Sequence, residues 1–131
     1  MKNNRKGFTL IEMLVVVAIV GLLSSVVVIG VGGAREKARD AKRIADLRQV
    51  QTYLEANYSG GAYPALSPWP SSLPKDPSSD NAYAYCTSGE TYTIGATLEN
   101  AANKPSGAAN TATCTITGVT CNSTTGYCVI P

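Results

Sequence analysis

Histidine does not occur in these 131 residues, so the commonest general base and the commonest metal ligand are both missing. Phenylalanine and tryptophan occur once each, and charged residues make up only 15% of the chain. There is no G-x-S-x-G elbow, no phosphate-binding glycine loop and no pair of acids at a meaningful spacing. Nothing supports catalysis or a bound cofactor. The four cysteines, Cys86, Cys114, Cys121 and Cys128, stand 28, 7 and 7 residues apart and match no C-x2-C zinc pattern. An even count in a small domain reads better as two disulfides, which need an oxidising compartment. Three pairings are open, and Cys121–Cys128 with Cys86–Cys114 is favoured because the first would close the base of the loop NSTTGY.

Charge of one sign is also scarce once position is considered. The formal net charge is +2, but Lys2, Arg5 and Lys6 crowd the first seven residues and the remainder carries a net charge of −1. A chain so near neutrality has no general attraction for nucleic acid, so nucleic acid is a poor partner. What the sequence has in abundance is one apolar stretch. From Met13 to Ala34 no charged side chain occurs, and a membrane-crossing helix needs roughly 20 such residues. Glu12, at its start, is the anomaly: a carboxylate in hydrocarbon costs at least ~2.5–3.5 kcal/mol and usually marks a site with a partner.

A short basic leader ending at Gly7, then Phe8-Thr-Leu-Ile-Glu12, then an unbroken apolar run resembles the class III signal of type IV pilins and pseudopilins. The match is close over about the first 60 residues and holds in outline beyond them. The resemblance implies cleavage after Gly7 by a membrane prepilin peptidase, N-methylation of the new terminus at Phe8, and polymerisation with other copies. It also implies an inner-membrane assembly platform driven by an ATPase. Glu12 of an incoming subunit would pair with the Phe8 amine of a neighbour and set the axial register. Two opposite charges attract strongly where the dielectric is low. The chain would sit in the cytoplasmic membrane as a single-pass protein before assembly and in an extracellular filament after it.

The expected fold class is α+β: a long N-terminal helix, membrane-spanning in its first half and amphipathic in its second, packed on a small antiparallel sheet. Residues 1–7 read as leader, 8–34 as the span, 35–58 as the amphipathic half, 59–82 as a connecting loop and 83–131 as a sheet-bearing head. A helix from Phe8 to Tyr58 would reach ~75 Å at about 1.5 Å per residue. Ile44, Leu47, Val50, Leu54 and Tyr58 lay an apolar stripe, with Ala34, Ala38, Ala41 and Ala45 beside it. The charges between Glu36 and Arg48 read as a solvated face. Ser59-Gly60-Gly61 ends the helix, with glycine placed to cap it.

Within the span, Gly30, Gly32 and Gly33 cluster where many family members carry a helix-breaking proline, and local melting on assembly is expected there. Five of the seven prolines fall in the loop, which Tyr63, Leu66 and Trp69 are expected to pin to the sheet. Strands are expected around Tyr83–Tyr85, Tyr92–Leu98, Thr113–Thr117 and Tyr127–Ile130, with Thr87–Glu90 as a turn. Asp76 and Asp80 are too few for a Ca²⁺ site of 6–8 oxygens. Asn57 and Asn122 head N-x-S/T tripeptides, a pattern common by chance.

One count opposes export. Three Lys/Arg precede the span and six follow it soon after, which by the positive-inside rule would hold the C-terminal part in the cytoplasm. The class III signal and the disulfides outweigh it. The leading reading is a structural subunit of a type IV pilus-like filament. The alternatives are a type II secretion pseudopilin and a DNA-uptake pilin.

Overall fold

The computed structural model describes residues 7–112 and 114–131, with the side chains at 28–30 left aside. It is an α+β arrangement: one helix, α1 (Leu10–Ala56), then three strands, β1 (Ala84–Ser88), β2 (Thr91–Thr97) and β3 (Gly126–Val129). The chain divides into two units, one up to Arg35 and one from Glu36 to Pro131.

In the first unit, helix-forming Leu, Ala and Met alternate with β-branched Val and Ile, and hydropathy decides the outcome. Leu10–Val27 has a mean hydropathy of 2.6, long and apolar enough to cross a membrane. Its large side chains are exposed all round: Leu10, Leu14, Leu22 and Val26 are each more than 60% exposed. A helix apolar on every side seeks lipid or other helices rather than a core beneath it. The polar exceptions are satisfied locally, Ser24 Oγ donating to Val20 O and Ser25 Oγ to Leu22 O, each at 2.7 Å. The helix continues through Gly32 and Gly33 without a break.

In the second unit the helix becomes one-sided. Leu47, Val50 and Leu54 are fully buried against Tyr92, Ile94, Ala96 and Leu98 of the sheet and against Tyr83 and Tyr127. Burying side chains of this size stabilises by about 1.5–3 kcal/mol each. Tyr58 falls off the expected stripe and is exposed. Helix α1 stops at Ala56, where Asn57 Nδ2 donates back to Tyr53 O at 2.8 Å. The two glycines do not cap it. Gly60 and Gly61, both at positive φ, form the reverse turn that pairs Ser59 with Ala62.

The sheet order is β1-β2-β3, antiparallel throughout. β1 and β2 join through Gly89-Glu90 alone, so Thr87 and Ser88 belong to the strand rather than to the expected turn. Of the expected strand at Thr113–Thr117, Thr113 lies outside the described residues and Cys114–Thr117 is irregular chain. The cause is visible at Gly95. A side chain there would meet Cys128 Sγ at 3.0 Å, Val119 Cγ1 at 3.1 Å and Ile116 Cδ1 at 3.4 Å. Ile116 and Val119 therefore cap the sheet's outer face as single anchors, and Thr115 and Thr117 on either side of Ile116 are exposed.

Candidate functional site

The residues that matter for the family resemblance meet at the start of α1. Gly7, Phe8 and Thr9 are non-helical and exposed, and Phe8 is 80% exposed. A peptidase needs an accessible bond outside regular structure, and Gly7–Phe8 lies in exposed, non-helical backbone. Thr9 is the residue before the helix and Glu12 is three residues on, the T-x-x-E spacing of a capping box. Glu12 Oε2 accepts from Thr9 N at 2.8 Å and from Thr9 Oγ1 at 2.7 Å, while Glu12 N donates back to Thr9 Oγ1 at 3.3 Å. The T-x-x-E spacing carries this reciprocal set in the sequence itself, inside a segment that is otherwise apolar. A capped, helix-terminal carboxylate is cheaper to carry than a bare one, since it satisfies orphan backbone donors and faces the positive end of the helix dipole.

In the second unit, charged residues that read as a solvated face are buried. Asp40 is 0% exposed, Asp46 2% and Arg43 4%. The physical reason lies in the register. The buried stripe 47, 50, 54 extends upstream by the same steps to positions 43 and 40, where the sequence carries Arg and Asp instead of apolar residues. Arg43 Nε donates to Asp76 Oδ2 at 2.6 Å, Nη1 to Asp40 Oδ1 at 2.8 Å and to Glu99 Oε1 at 2.9 Å, and Nη2 to Ser78 Oγ at 2.8 Å. Asp40 also accepts from the backbone N–H of Glu99 at 2.9 Å and of Asn100 at 3.1 Å, and from Asn103 Nδ2 at 2.8 Å. Arg39 Nε completes the cluster on Glu99 Oε1 at 2.7 Å. Nearby, Asp46 accepts from Tyr83 Oη and from Lys42 Nζ, at 2.8 and 2.9 Å. One guanidinium thus ties the helix to two loops, residues 76–78 before the sheet and 99–103 after β2.

The electrostatics follow from that geometry. Burial alone would raise the Asp76 carboxyl, but hydrogen bonds from Arg43 and from the Ser78 and Ser79 N–H groups hold it down at about 2. The hydrogen bond from Arg39, helped by that from Arg43 and opposed by burial, brings Glu99 down to about 2 as well. Burial works against the Arg43 charge, yet Asp76, Glu99 and Asp40 together raise its pKa. Burial and the hydrogen bond to Asp46 push Tyr83 well above the ordinary phenol range.

The structure joins Cys86 to Cys114 and Cys121 to Cys128, with Cα separations of 6.0 and 5.4 Å. The first tethers β1 to the irregular chain over the outer face; the second closes the 122–127 loop onto β3. Lys104 Nζ donates to Cys121 O at 3.3 Å and Ser123 O at 3.1 Å across that loop. Asp76 is committed to Arg43, and Asp80 is a surface carboxylate paired with Lys75 at 3.5 Å. Among the described residues no group of three His, Cys, Asp or Glu converges as a metal site would require. The Asn57 amide is engaged by the helix end, while Asn122 is exposed. Tyr63 stacks edge-on to Tyr92 at 4.6 Å and Leu66 is buried, so both hold the proline-rich loop to the core.

Comparison with known proteins adds the family. Residues 2–32 match the prokaryotic N-terminal methylation motif. The chain is 34% identical over 118 residues to the type II secretion system core protein G of Vibrio cholerae serotype O1, covering 72% of this chain and 80% of that protein. It is 33% identical over 78 residues to the protein of the same name from Dickeya chrysanthemi, 59% of this chain but only 51% of that relative. It is 40% identical over 53 residues to the type IV wide pilus major component PilA4 of Thermus thermophilus, 40% of each chain. No solved structure matches. Relatives of this kind are structural components of secretion and pilus machinery, and this chain is a pilin-like subunit, not an enzyme. It belongs to the type IV pilin and pseudopilin family.

Proposed function

We propose that the protein is the structural subunit of a type IV pilus-like filament. It is cleaved after Gly7, methylated at Phe8 and assembled with further copies through its N-terminal helices. Residues 1–7 are the leader, 8–34 the membrane and filament-core half of the helix, and the remainder the surface-exposed head. The observation that carries this reading is the capped Glu12 at the head of a span whose large side chains, among the described residues, are all uncovered. A carboxylate already satisfied by Thr9 can be carried in the membrane, and the Phe8 amine of another copy offers it a full charge partner once the leader is removed. The two disulfides suit a head displayed outside the cell. The partners implied are a prepilin peptidase with methyltransferase activity, an assembly platform with its ATPase, and the membrane before assembly.

A second reading, a type II secretion pseudopilin, is favoured by the 80% coverage of the Vibrio cholerae protein. The experiment that tests the first is N-terminal mass spectrometry of sheared surface material. Methylated Phe8 as the first residue, in fibres visible by electron microscopy, is expected. Cleaved chain found only in the periplasm, beside a secretion defect on deletion, would favour the pseudopilin; uncut chain with its head in the cytoplasm would overturn both.

A further inference from the structure

The two edges of the head's sheet are treated differently. Ser88 and Thr91 flank a two-residue connection and so form a hydrogen-bonded pair, which by alternation makes Cys86 and Ala84 hydrogen-bonded toward β2 as well. Tyr85 and Thr87 are then the residues whose backbone N–H and C=O point away from the sheet. The same alternation sends Gly126 and Cys128 outward from β3, and there the fold covers them: Ala109 N donates to Cys128 O at 3.0 Å, and Gly126 N donates to Ser123 Oγ at 2.8 Å. No such backbone partner reaches Tyr85 or Thr87 among the described residues. Proteins commonly guard an open edge with lysine, proline or a bulge. β1, Ala-Tyr-Cys-Thr-Ser, has no charged residue and no proline, and it pairs with β2 in unbroken register.

Beside this edge lies a cavity of about 390 Å³, walled by Ala65, Leu66, Trp69, Tyr83, Tyr85 and Thr87 and lined by no charged residue. The polar tips of its aromatic walls are turned inward, Tyr85 Oη donating to Pro64 O at 2.7 Å and Trp69 Nε1 to Pro74 O at 3.2 Å. What remains is an apolar recess next to two unpaired backbone positions. That is the arrangement by which a sheet edge accepts an extended segment, with main-chain bonds along the strand and one side chain in the pocket. The second unit also carries a matching group. Ile130, just past β3, is its only exposed large aliphatic side chain among the described residues. Val129 is the last residue paired to β2, which leaves the Ile130 backbone beyond the ladder.

We propose that the open edge of β1 and its cleft receive the Val129–Pro131 segment of a second copy. Ile130 enters the cleft and its backbone bonds to that of Thr87. The contact joins two different surfaces, so it is heterologous, the kind of contact that propagates along a filament when its rotation does not close into a ring. It rests on the assembly reading above but concerns the heads, not the N-terminal helices.

The test places a benzophenone amino acid at Ala65, an exposed cleft residue, in the full-length protein in its native membrane and surface fractions. Irradiation should give a ladder of dimer, trimer and higher species, with the cross-link mapped to residues 126–131 of another copy. Ile130→Asp should reduce the ladder by about ten-fold or more, the effect of losing one good contact. Thr87→Pro should do the same, because it removes an outward N–H that the β1–β2 ladder does not use. Near-UV circular dichroism unchanged in both variants shows that the head still folds. A dimer without a ladder, a cross-link confined to one copy, or an adduct with an unrelated protein would each overturn the contact. Electron microscopy of the same fractions scores assembly separately. Filaments without the ladder sink this contact and leave the assembly reading intact, and neither filaments nor ladder sinks both.

Discussion

Replacing Asp40 by Asn alters the head at its most constrained charge. The substitution keeps size and shape and changes only what the two terminal atoms can do. Asp40 is fully buried and accepts four hydrogen bonds, from Arg43 Nη1, the Glu99 and Asn100 N–H groups and Asn103 Nδ2. It needs four acceptor positions, and an asparagine offers acceptors on one side only. Whichever way the amide turns, an NH2 faces two donors. Hydrogen bonds to charged groups contribute about 1.5–3 kcal/mol each, and removing one partner of a buried ion pair costs about 3–5 kcal/mol. The Asn variant should therefore lose about 3–5 kcal/mol.

That is a large share of the total. A unit the size of Glu36–Pro131 has roughly 5–14 kcal/mol of stability at about 0.05–0.15 kcal/mol per residue. At about 4–8 °C per kcal/mol, the melting temperature should fall by about 12 °C or more. The assay is near-UV circular dichroism of the full chain in detergent micelles. Trp69 and all seven tyrosines lie between residues 53 and 127, so the signal reports on the head alone. The paired control is Asp80→Asn, at a carboxylate 90% exposed, which should change stability by no more than about 0.5 kcal/mol. A melting temperature for Asp40→Asn within about 3 °C of the parent would refute the account of Asp40 as a buried four-donor acceptor.

Other outcomes follow from the same structure. Asp76 and Glu99 are both held at about 2 in the fold, below the ordinary carboxylate range of about 4, so their contribution is complete above that range. It should be lost as pH falls from about 4 toward 2, and an acid titration of the same signal should show the head loosening in that window. Gly126→Ala should destabilise the C-terminal loop severely, because the new Cβ would sit 2.0 Å from Thr120 O, a backbone atom that cannot step aside. Limited proteolysis between residues 120 and 126 reads this out. Replacing both cysteines of a disulfide by serine should cost more for Cys86–Cys114, which spans 28 residues, than for Cys121–Cys128, which spans 7. The loop-entropy estimate is about 3–4 against about 2–3 kcal/mol, checked by chemical denaturation. Glu12→Ala should abolish fibres in the sheared fraction while leaving head melting unchanged; normal fibre yield would remove the register role.

The long helix, the apolar span and the small sheet were legible because each rests on a run of residues with one periodicity. Leu47, Val50 and Leu54 announce the buried stripe, and Tyr92, Ile94 and Ala96 announce the central strand. The irregular path of Cys114–Thr117 was not legible, because its alternating pattern is that of a strand and only the missing side chain at Gly95 shows how Ile116 and Val119 are received instead. The open edge of β1 was equally hidden. Nothing in Ala-Tyr-Cys-Thr-Ser says whether a neighbour lies on both sides, and edge or centre is settled by topology, not by composition.

The buried ions mark where residue type misleads most, and they bear on the one count that argues against export. Six basic residues follow the span between Arg35 and Arg48, and by charge alone they place the head on the cytoplasmic side. In the folded head three of the six are committed elsewhere: Arg39 to Glu99, Arg43 to Asp40, Asp76 and Glu99, and Lys42 to Asp46. Arg43 and Asp40 occupy steps of the same stripe that Leu47 and Leu54 fill further along, so packing against the loops dictates their positions. An apolar pair there would bury equally well, but would have nothing to offer the Glu99 and Asn100 N–H groups or the Ser78 hydroxyl. Closing those two loops onto the helix therefore accounts for Arg39 and Arg43, two of the six, without any reference to which side of a membrane they lie on. A positive-inside count that treats these two as free topological signals counts residues the fold already uses.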